Sequence, residues 1–388
     1  MRLAHTGDLH IGKKLHDVSL IKDQEMILEQ ILKILKEQKV DGLIVAGDIY
    51  DKPTPSAEAV KVFDEFISKL RDAGIKLFAI SGNHDSMERI SFGSRIMSKE
   101  GVYFQENFEK EAQRIALSDE YGEINIYMVP FIKPVYVGED SYEAAFAKII
   151  SGTDIDYNKR NILVAHQFIT ATPKGAVYEE EELKKSGLMP DRCESENVNV
   201  GGLDNISYEI VDDFDYVALG HLHRRQYIGK EHIRYSGSPL KYSFSESLDT
   251  KSIEIIDIKE KHNISMDRIP LVMPRDVRVI KGTLEELTSE EVVNAEGTDR
   301  EDYICAIITN EERVIDGANK LLRWYPNLLT IQYKKDMVVK EEDKIVSLKG
   351  KNPFELFSEY YEFMNNKTMS QREEDIIKEI LGGDESET

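Results

Sequence analysis

Three apolar runs in the first eighty residues constrain this chain most: RLAHT at 2–6, LIVA at 43–46 and KLFAI at 76–80. Between them the apolar residues fall at helical spacing, as Ile27, Ile31, Ile34 and Leu35, then Ala59, Phe63, Phe66 and Leu70. Strands separated by helices need crossover connections, so this part of the chain is an α/β sheet. Further strands are expected at 124–131, 161–166, 216–221, 233–238 and 253–258. Segment 171–215 is long, polar and acidic, with four glutamates at 179–182, and reads as loop.

Pro270 and Pro274 bracket a boundary. Beyond it come strand runs at 276–282, 303–309 and 328–333, separated by helical segments near 284–294 and 314–323. This is a second, small βαβαβ unit. The organisation expected is a first domain over 1–272, a small α/β domain over 273–337, a charged linker over 338–351 and a helix–loop–helix over 352–382. Asn352, Pro353 and Glu355 carry a helix-start signature. The first terminal helix has Phe354, Phe357, Tyr361 and Met364 on one stripe, and the second has Ile376, Ile377, Ile380 and Leu381. Such stripes either fold back on the protein's own core or dock on a partner.

Each of five apolar runs ends in a short segment of chemically capable residues. These are Asp8-Leu-His10, Gly47-Asp48-Ile-Tyr-Asp51, Gly82-Asn83-His84-Asp85, Ala165-His166-Gln167 and Gly220-His221-Leu-His223. Ligands of α/β sheets sit at the carboxyl ends of strands, so five such loops can converge on one crevice. In extended backbone, residues two apart point the same way, so Asp8 with His10, and His221 with His223, can each grip one ion. The candidate ligands are Asp8, His10, Asp48, Asn83, His166, His221 and His223. Seven are too many for one ion and suit two. Asp, Asn and His donors without a thiolate favour Mn²⁺, Fe²⁺ or Zn²⁺ over a structural cysteine–zinc site. Two ions sharing a carboxylate, about 3.5–4 Å apart, are the equipment of phosphoester hydrolysis. The nine histidines include five in these segments; His5, His16, His232 and His262 have no such context and read as structural.

This series resembles the calcineurin-like metallophosphoesterases, with their D-x-H, G-D-x-x-D, G-N-H-D, H and G-H-x-H motifs. Longer matches make it similar to that family's SbcD branch of bacterial DNA nuclease subunits: HTGDLHIGKKL (5–15), GDIYDKPTPS (47–56), SGNHDS (81–86) and ALGHLHRRQ…IRYSGSPLKYSFSE (218–246). The resemblance implies a metallophosphoesterase β-sandwich flanked by helices, a small α/β capping domain and C-terminal helices. It implies one ion held by Asp8, His10, Asp48 and His223, and another by Asp48, Asn83, His166 and His221, with Asp48 bridging. His84 would be the catalytic histidine, and Asp85 would orient His84 or its turn. Asp51 has two readings, tuning the site electrostatically or capping the following helix.

The activity implied is that of a Mn²⁺-dependent DNA nuclease, an exonuclease on DNA ends and an endonuclease on single strands and hairpins. It would serve repair, recombination and replication with an SbcC-type ATPase, as a homodimer within a heterotetramer. Segment 86–98 is the candidate for the dimer contact, and Phe354, Phe357, Tyr361, Met364, Ile377 and Ile380 for docking the ATPase. One alternative is a stand-alone phosphoesterase acting on cyclic nucleotides or phosphoproteins, which would need neither the small domain nor the terminal helices. Another is a non-catalytic DNA-end-binding subunit, against which the full ligand set and His84 argue.

Composition adds two constraints. The net charge of −22 excludes binding of nucleic acid or anionic membranes by bulk charge, so DNA must be met locally. Segment 221–241 holds five basic residues against one acidic, and Lys13 and Lys14 follow the first motif. Arg224, Arg225, Lys13 and Lys14 are the candidates for phosphate contacts, the other reading of the two arginines being pairing with the acidic loop or sheet edge. Two distant cysteines, no signal-like N-terminus and no long apolar run lead to the expectation of a cytoplasmic protein without a membrane segment.

Overall fold

The computed structural model describes residues 1–105, 111–173, 189–196, 205–295, 297–310, 314–334 and, further on, residues 358, 361, 369, 372, 373 and 377. The chain enters on β1 (Arg2–Thr6) and crosses through helix α1 (Ile21–Glu37) to β2 (Gly42–Ala46). Helix α2 (Ala57–Asp72) leads to β3 (Lys76–Ile80), and β4 (Val102–Phe104) follows. These four strands are parallel neighbours. A second sheet is then laid down by β5 (Gln113–Asp119), β6 (Gly122–Val129), β7 (Arg160–His166), β8 (Tyr216–Gly220), β9 (Gln226–Ile228) and β10 (Lys230–Tyr235). Helix α3 (Tyr142–Gly152) lies between β6 and β7. The chain returns to the first sheet as β11 (Ser252–Ile258), antiparallel to β1, and β12 (Ile264–Pro270).

The two six-stranded sheets, ordered β12-β11-β1-β2-β3-β4 and β9-β10-β8-β7-β6-β5, pack face to face. Alternation along the strands does the sorting. Ile44, Ala46, Phe78 and Ile80 meet Ile126, Met128, Ile162, Val164 and Ala218 between the sheets. Leu43, Val45, Leu77 and Ala79 point the other way, against α1 and α2. Leu163, Ala165, Val217 and Leu219 face α3. Covered on both faces, the central strands carry unbroken apolar runs such as LIVA, LFAI, ILVA and YVAL, which is why they stand out. His5 is one of several polar residues buried in the sandwich, with Asn125, Asn161 and Glu254. Its Nδ1 lies 3.0 Å from Tyr216 Oη, and burial lowers its pKa to about 3.

A third, three-stranded parallel sheet is formed by β13 (Val277–Gly282), β14 (Tyr303–Ile308) and β15 (Leu328–Tyr333). It has its own core of Leu284, Leu287, Ile304, Ala306, Ile308, Leu321 and Tyr325. One clamp ties it to α1: Arg275 grips Asp23 through two hydrogen bonds of 2.9 and 2.5 Å, and Tyr303 Oη donates to the same carboxylate at 2.8 Å. The expected linker 338–351 lies outside the described residues, as do Phe354, Phe357, Met364 and Ile380. Tyr361 and Ile377 are described and half-buried, and Tyr361 Oη donates to Glu373 at 2.6 Å. Of segment 171–215, residues 174–188 and 197–204 also lie outside the described part. Among the described residues no helix is long and apolar enough to cross a membrane.

Candidate metal centre

The carboxyl ends of β1, β2 and β3 in one sheet and of β7 and β8 in the other open onto the same place. The register aligns them, with Ala46 opposite Ile80 and Gly220 opposite His166. Each chain turns there abruptly. Asp8, His10, Asp48 and His221 all take left-handed backbone angles, with φ of 52°, 42°, 48° and 98°. Non-glycine residues rarely adopt this region, and it persists only where the surroundings over-determine it. Here loop braces loop: Asp8 N donates to Gly47 O at 3.0 Å and His10 N to Asp48 O at 2.9 Å. His221 N donates to Asp8 Oδ1 at 2.9 Å and His84 N to Asp48 Oδ1 at 2.8 Å. The sheets touch so closely that a Cβ on Gly220 would lie 1.8 Å from Ala46 O, and one on Gly47, at φ +86°, 2.3 Å from His166 Nδ1.

All seven candidate ligands converge. Asp8, His10 and His223 present donor atoms within 4.8 Å of one another, as do Asp8, Asp48 and His166, and His10, Asp48 and His84. His10 Nε2 is 3.1 Å from His223 Nε2, while Asp48 Oδ2 is 3.6 Å from His10 Nε2 and 3.4 Å from His166 Nε2. Asn83 Oδ1 is 3.0 Å from His166 Nε2 and 3.1 Å from His221 Nδ1. His166 Nδ1–H donates to Ala46 O at 2.8 Å, which points Nε2 at the cluster. Burial lowers the His166 pKa, but the carboxylates of Asp48 and Asp8 outweigh this and raise it to about 9.

Charge is concentrated here. Burial drives the Asp8 carboxyl well above the usual range, opposed by His166 and reinforced by Asp48. Burial pushes Asp48 the same way, but its pairing with the His166 imidazole outweighs this and holds Asp48 below the usual carboxylate range. Burial lowers His10 and His223, and lowers His221 to about 3, so these imidazoles are neutral donors. Asp8 Oδ2 and His10 Nδ1 are buried without a hydrogen-bond partner. Neutral imidazoles facing each other, an orphaned carboxylate oxygen and a central ionised carboxylate fit a dinuclear divalent-metal site.

The other candidates take distinct places. His84 is partly exposed, its ring edge-on to His10 at 4.7 Å, and its Nδ1–H donates to Asp51 O at 2.9 Å. Asp85 accepts from Ile49 N, Tyr50 N and Gly82 N at 2.9–3.0 Å and so locks two of the loops together. Its pKa is raised to about 7 by burial and by Asp48. Asp51 does not cap α2; Ser56 does, accepting from Ala59 N at 3.2 Å. The Asp51 side chain instead pairs with Lys13 at 2.9 Å and lies 3.9 Å from His10 Nδ1. Arg224 pairs with Asp249 at 3.1 Å and Arg225 with the buried Glu254. Lys14 is exposed.

Sequence reasoning passes over segment 189–196. Arg192 stacks on Phe168, 3.7 Å from the ring centroid, and Phe168 in turn packs against His221. Arg192 Nε has no hydrogen-bond partner among the described residues. Ser195 Oγ lies 2.7 Å from His223 Nδ1, and Glu196 accepts from His223 N at 2.7 Å. A polar loop with no motif spacing offers no signal for such residues.

Comparison with known proteins agrees with this geometry. The calcineurin-like phosphoesterase family matches residues 1–225, and the type 5 capsule protein repressor C-terminal domain family (SbcD_C) matches residues 273–365. The SbcD subunit of the SbcCD nuclease of Staphylococcus epidermidis is 29% identical over 393 residues, 98% of each chain. That of Staphylococcus saprophyticus is 30% identical over 342 residues, covering 85% of this chain and 84% of the other. With the motif loops gathered at one sandwich edge and relatives aligned along most of its length, the chain belongs to the calcineurin-like phosphoesterase family, in the branch of the SbcD nuclease subunits.

Proposed function

We propose that this protein is the nuclease subunit of an SbcCD-type complex and cleaves DNA phosphodiester bonds at a dinuclear Mn²⁺ centre. The observation that carries the reading is the cluster of Asp, Asn and His donors that gathers around Asp48 among the described residues. Asp8, His10, Asp48 and His223 would hold one ion, and Asp48, Asn83, His166 and His221 the other. Such a pair supplies an activated water and neutralises phosphate charge. Hard and borderline donors without a thiolate suit Mn²⁺.

The chain's own residues do the rest. The Asp51 carbonyl fixes the tautomer of His84 with Nε2 as its basic nitrogen, suited to exchanging a proton with the leaving oxygen. Asp85 holds the His84 turn against the Asp48 loop, which supports a positioning role. Arg192 offers the cleft a guanidinium fixed by stacking, a natural clamp for a phosphate. Lys13, Arg224 and Arg225 touch DNA only by sharing their carboxylate partners, whereas Lys14 is exposed to meet it directly.

By the same reading the protein works in the cytoplasm on DNA ends and hairpins, with an SbcC-type ATPase docked on the helix–loop–helix at 352–382. It forms a homodimer within a heterotetramer. Phe92 and Ile96, 84% and 74% exposed, favour 86–98 as the dimer contact. The third sheet acts as a capping domain. The test is Mn²⁺-dependent cleavage of a DNA hairpin, set beside hydrolysis of bis-p-nitrophenyl phosphate, with metal content measured throughout. Asp48→Ala is expected to weaken both ions; His84→Ala is expected to keep both and lose cleavage. Two ions retained in the Asp48 variant, or hydrolysis of the small ester with no cleavage of DNA by the ATPase-bound protein, would overturn the reading.

A further inference from the structure

His223 is supported differently from His166 and His84. His166 is oriented by a backbone carbonyl, Ala46 O, and His84 by another, Asp51 O. His223 Nδ1 instead faces a side chain, Ser195 Oγ, at 2.7 Å. Ser195 Oγ in turn lies 2.7 Å from Glu246 Oε1. Glu246 is fully buried and surrounded by donors: Lys251 Nζ at 2.6 Å, Ser243 Oγ at 2.9 Å and Tyr242 N at 3.2 Å. A carboxylate so placed only accepts.

Proton counting then fixes the whole chain of bonds. The Ser195 hydroxyl has one proton and donates it to Glu246. Toward His223 the same oxygen can only accept, so Nδ1 carries the hydrogen and donates to Ser195. Nε2 is left as a lone pair, and it faces His10 Nε2 at 3.1 Å inside the cluster. The backbone of His223 is held by the same group of residues, its N donating to Glu196 at 2.7 Å and its O accepting from Lys251 at 2.9 Å. The segment bearing Ser195 is itself seated, with Asp191 N bonded to Gln226 at 2.8 Å and Glu194 N to Ser245 Oγ at 3.0 Å.

We infer that Ser195 and Glu246 form a hydroxyl–carboxylate relay that holds His223 in its ligating tautomer and so sets the affinity of one ion of the pair. The ion concerned is the one next to Asp8, His10 and His223; the ion next to Asn83, His166 and His221 is independent of the relay. This rests on the reading of His223 as a ligand. Ser195 and Glu246 are positioning residues: they act through His223. Losing a group that orients a ligating histidine typically costs about 10–100-fold in metal affinity.

The experiment titrates the full-length, metal-stripped protein with Mn²⁺ and counts free Mn²⁺ from its six-line paramagnetic resonance signal. The wild type is expected to take up two ions, and His223→Ala one. Ser195→Ala is expected to keep one ion at wild-type affinity and bind the second about 10–100-fold more weakly. Ser195→Thr, which keeps the hydroxyl, is expected to restore it. Ser195→Cys, close in shape but a poor hydrogen-bonding partner, is expected to follow the alanine variant if the latter does not fold. Wild-type binding of both ions by Ser195→Ala or Ser195→Cys overturns the relay while leaving His223 a ligand. Equal weakening of both ions also overturns it, because a relay through His223 acts on one. Two ions retained by His223→Ala would remove the ligand assignment, and the relay with it.

Discussion

Replacing Gly220 by alanine places a methyl group 1.8 Å from the Ala46 carbonyl oxygen and 2.8 Å from His166 Nδ1. A real Cβ does not approach another atom closer than 3.0 Å, so the ends of β8 and β2 must part by about 1.2 Å. Both partners are backbone or core, and neither can rotate away. Overpacking of this kind costs about 1–3 kcal/mol. For a domain of this size that lowers the melting temperature by about 2–5 °C. The effect on catalysis is expected to be larger. The parting breaks the 2.8 Å bond that aims His166, and a misplacement of about 1 Å can cost about 100-fold in rate. The assay is thermal unfolding together with Mn²⁺-dependent hydrolysis of bis-p-nitrophenyl phosphate. Gly152→Ala is the control: it closes α3 with nothing within 4 Å of its new Cβ, and is expected to leave both readings unchanged or to add about 0.4–1 kcal/mol. Wild-type turnover at a wild-type melting temperature in Gly220→Ala would refute the argument that the two sheets are held apart by no more than a hydrogen atom here.

Two other perturbations follow from the packing. Asp23→Ala strands Arg275 and Tyr303 at the joint between α1 and the third sheet; with Arg275 partly exposed, the expected loss is about 2–3 kcal/mol, read from the urea midpoint, and a loss under about 0.5 kcal/mol would show the clamp to be idle. Burial raises the Asp119 carboxyl, but its hydrogen bonds from Arg160 and from the N-terminal ammonium more than offset this and hold it below the usual carboxylate range. A depressed folded value means stability present above the unfolded pKa of about 4 and lost as pH falls through the folded one. The destabilisation caused by Asp119→Asn is therefore expected to be constant above about pH 5 and to shrink on acidification; a difference that does not change with pH would refute it.

The parts of the fold that are legible in the sequence are those buried on both sides. β2, β3, β7 and β8 announce themselves because α1, α2 and α3 cover one face and the opposite sheet the other. β5 and β12 escape such a reading because they are edge strands, half exposed along their length, so that Arg114, Ser118, Asp267 and Arg268 interrupt any apolar run. The candidate ligands are legible for a different reason: each sits at the end of a strand, where local spacing reports on geometry. Ser195, Glu246 and Arg192 act across space between segments far apart in the chain, and no local pattern encodes that. The two readings of Asp51 separate only in three dimensions, where Ser56 stands at the helix start and Asp51 beside Lys13.

The division of the cluster between two sheets has a consequence for a chain still being synthesised. Asp8, His10, Asp48 and Asn83 lie on loops of the first sheet, and His166, His221 and His223 on loops of the second. β11, the strand that pairs with β1 on its other side, comes later still, at residues Ser252–Ile258. A ribosome-bound fragment that has folded only its first hundred residues therefore owns carboxylates and one or two imidazoles, with no partner sheet to enclose them. The full set of candidate donors is assembled only when the second layer closes over the first. Folding order alone would thus leave half-made copies without the donors of the second sheet.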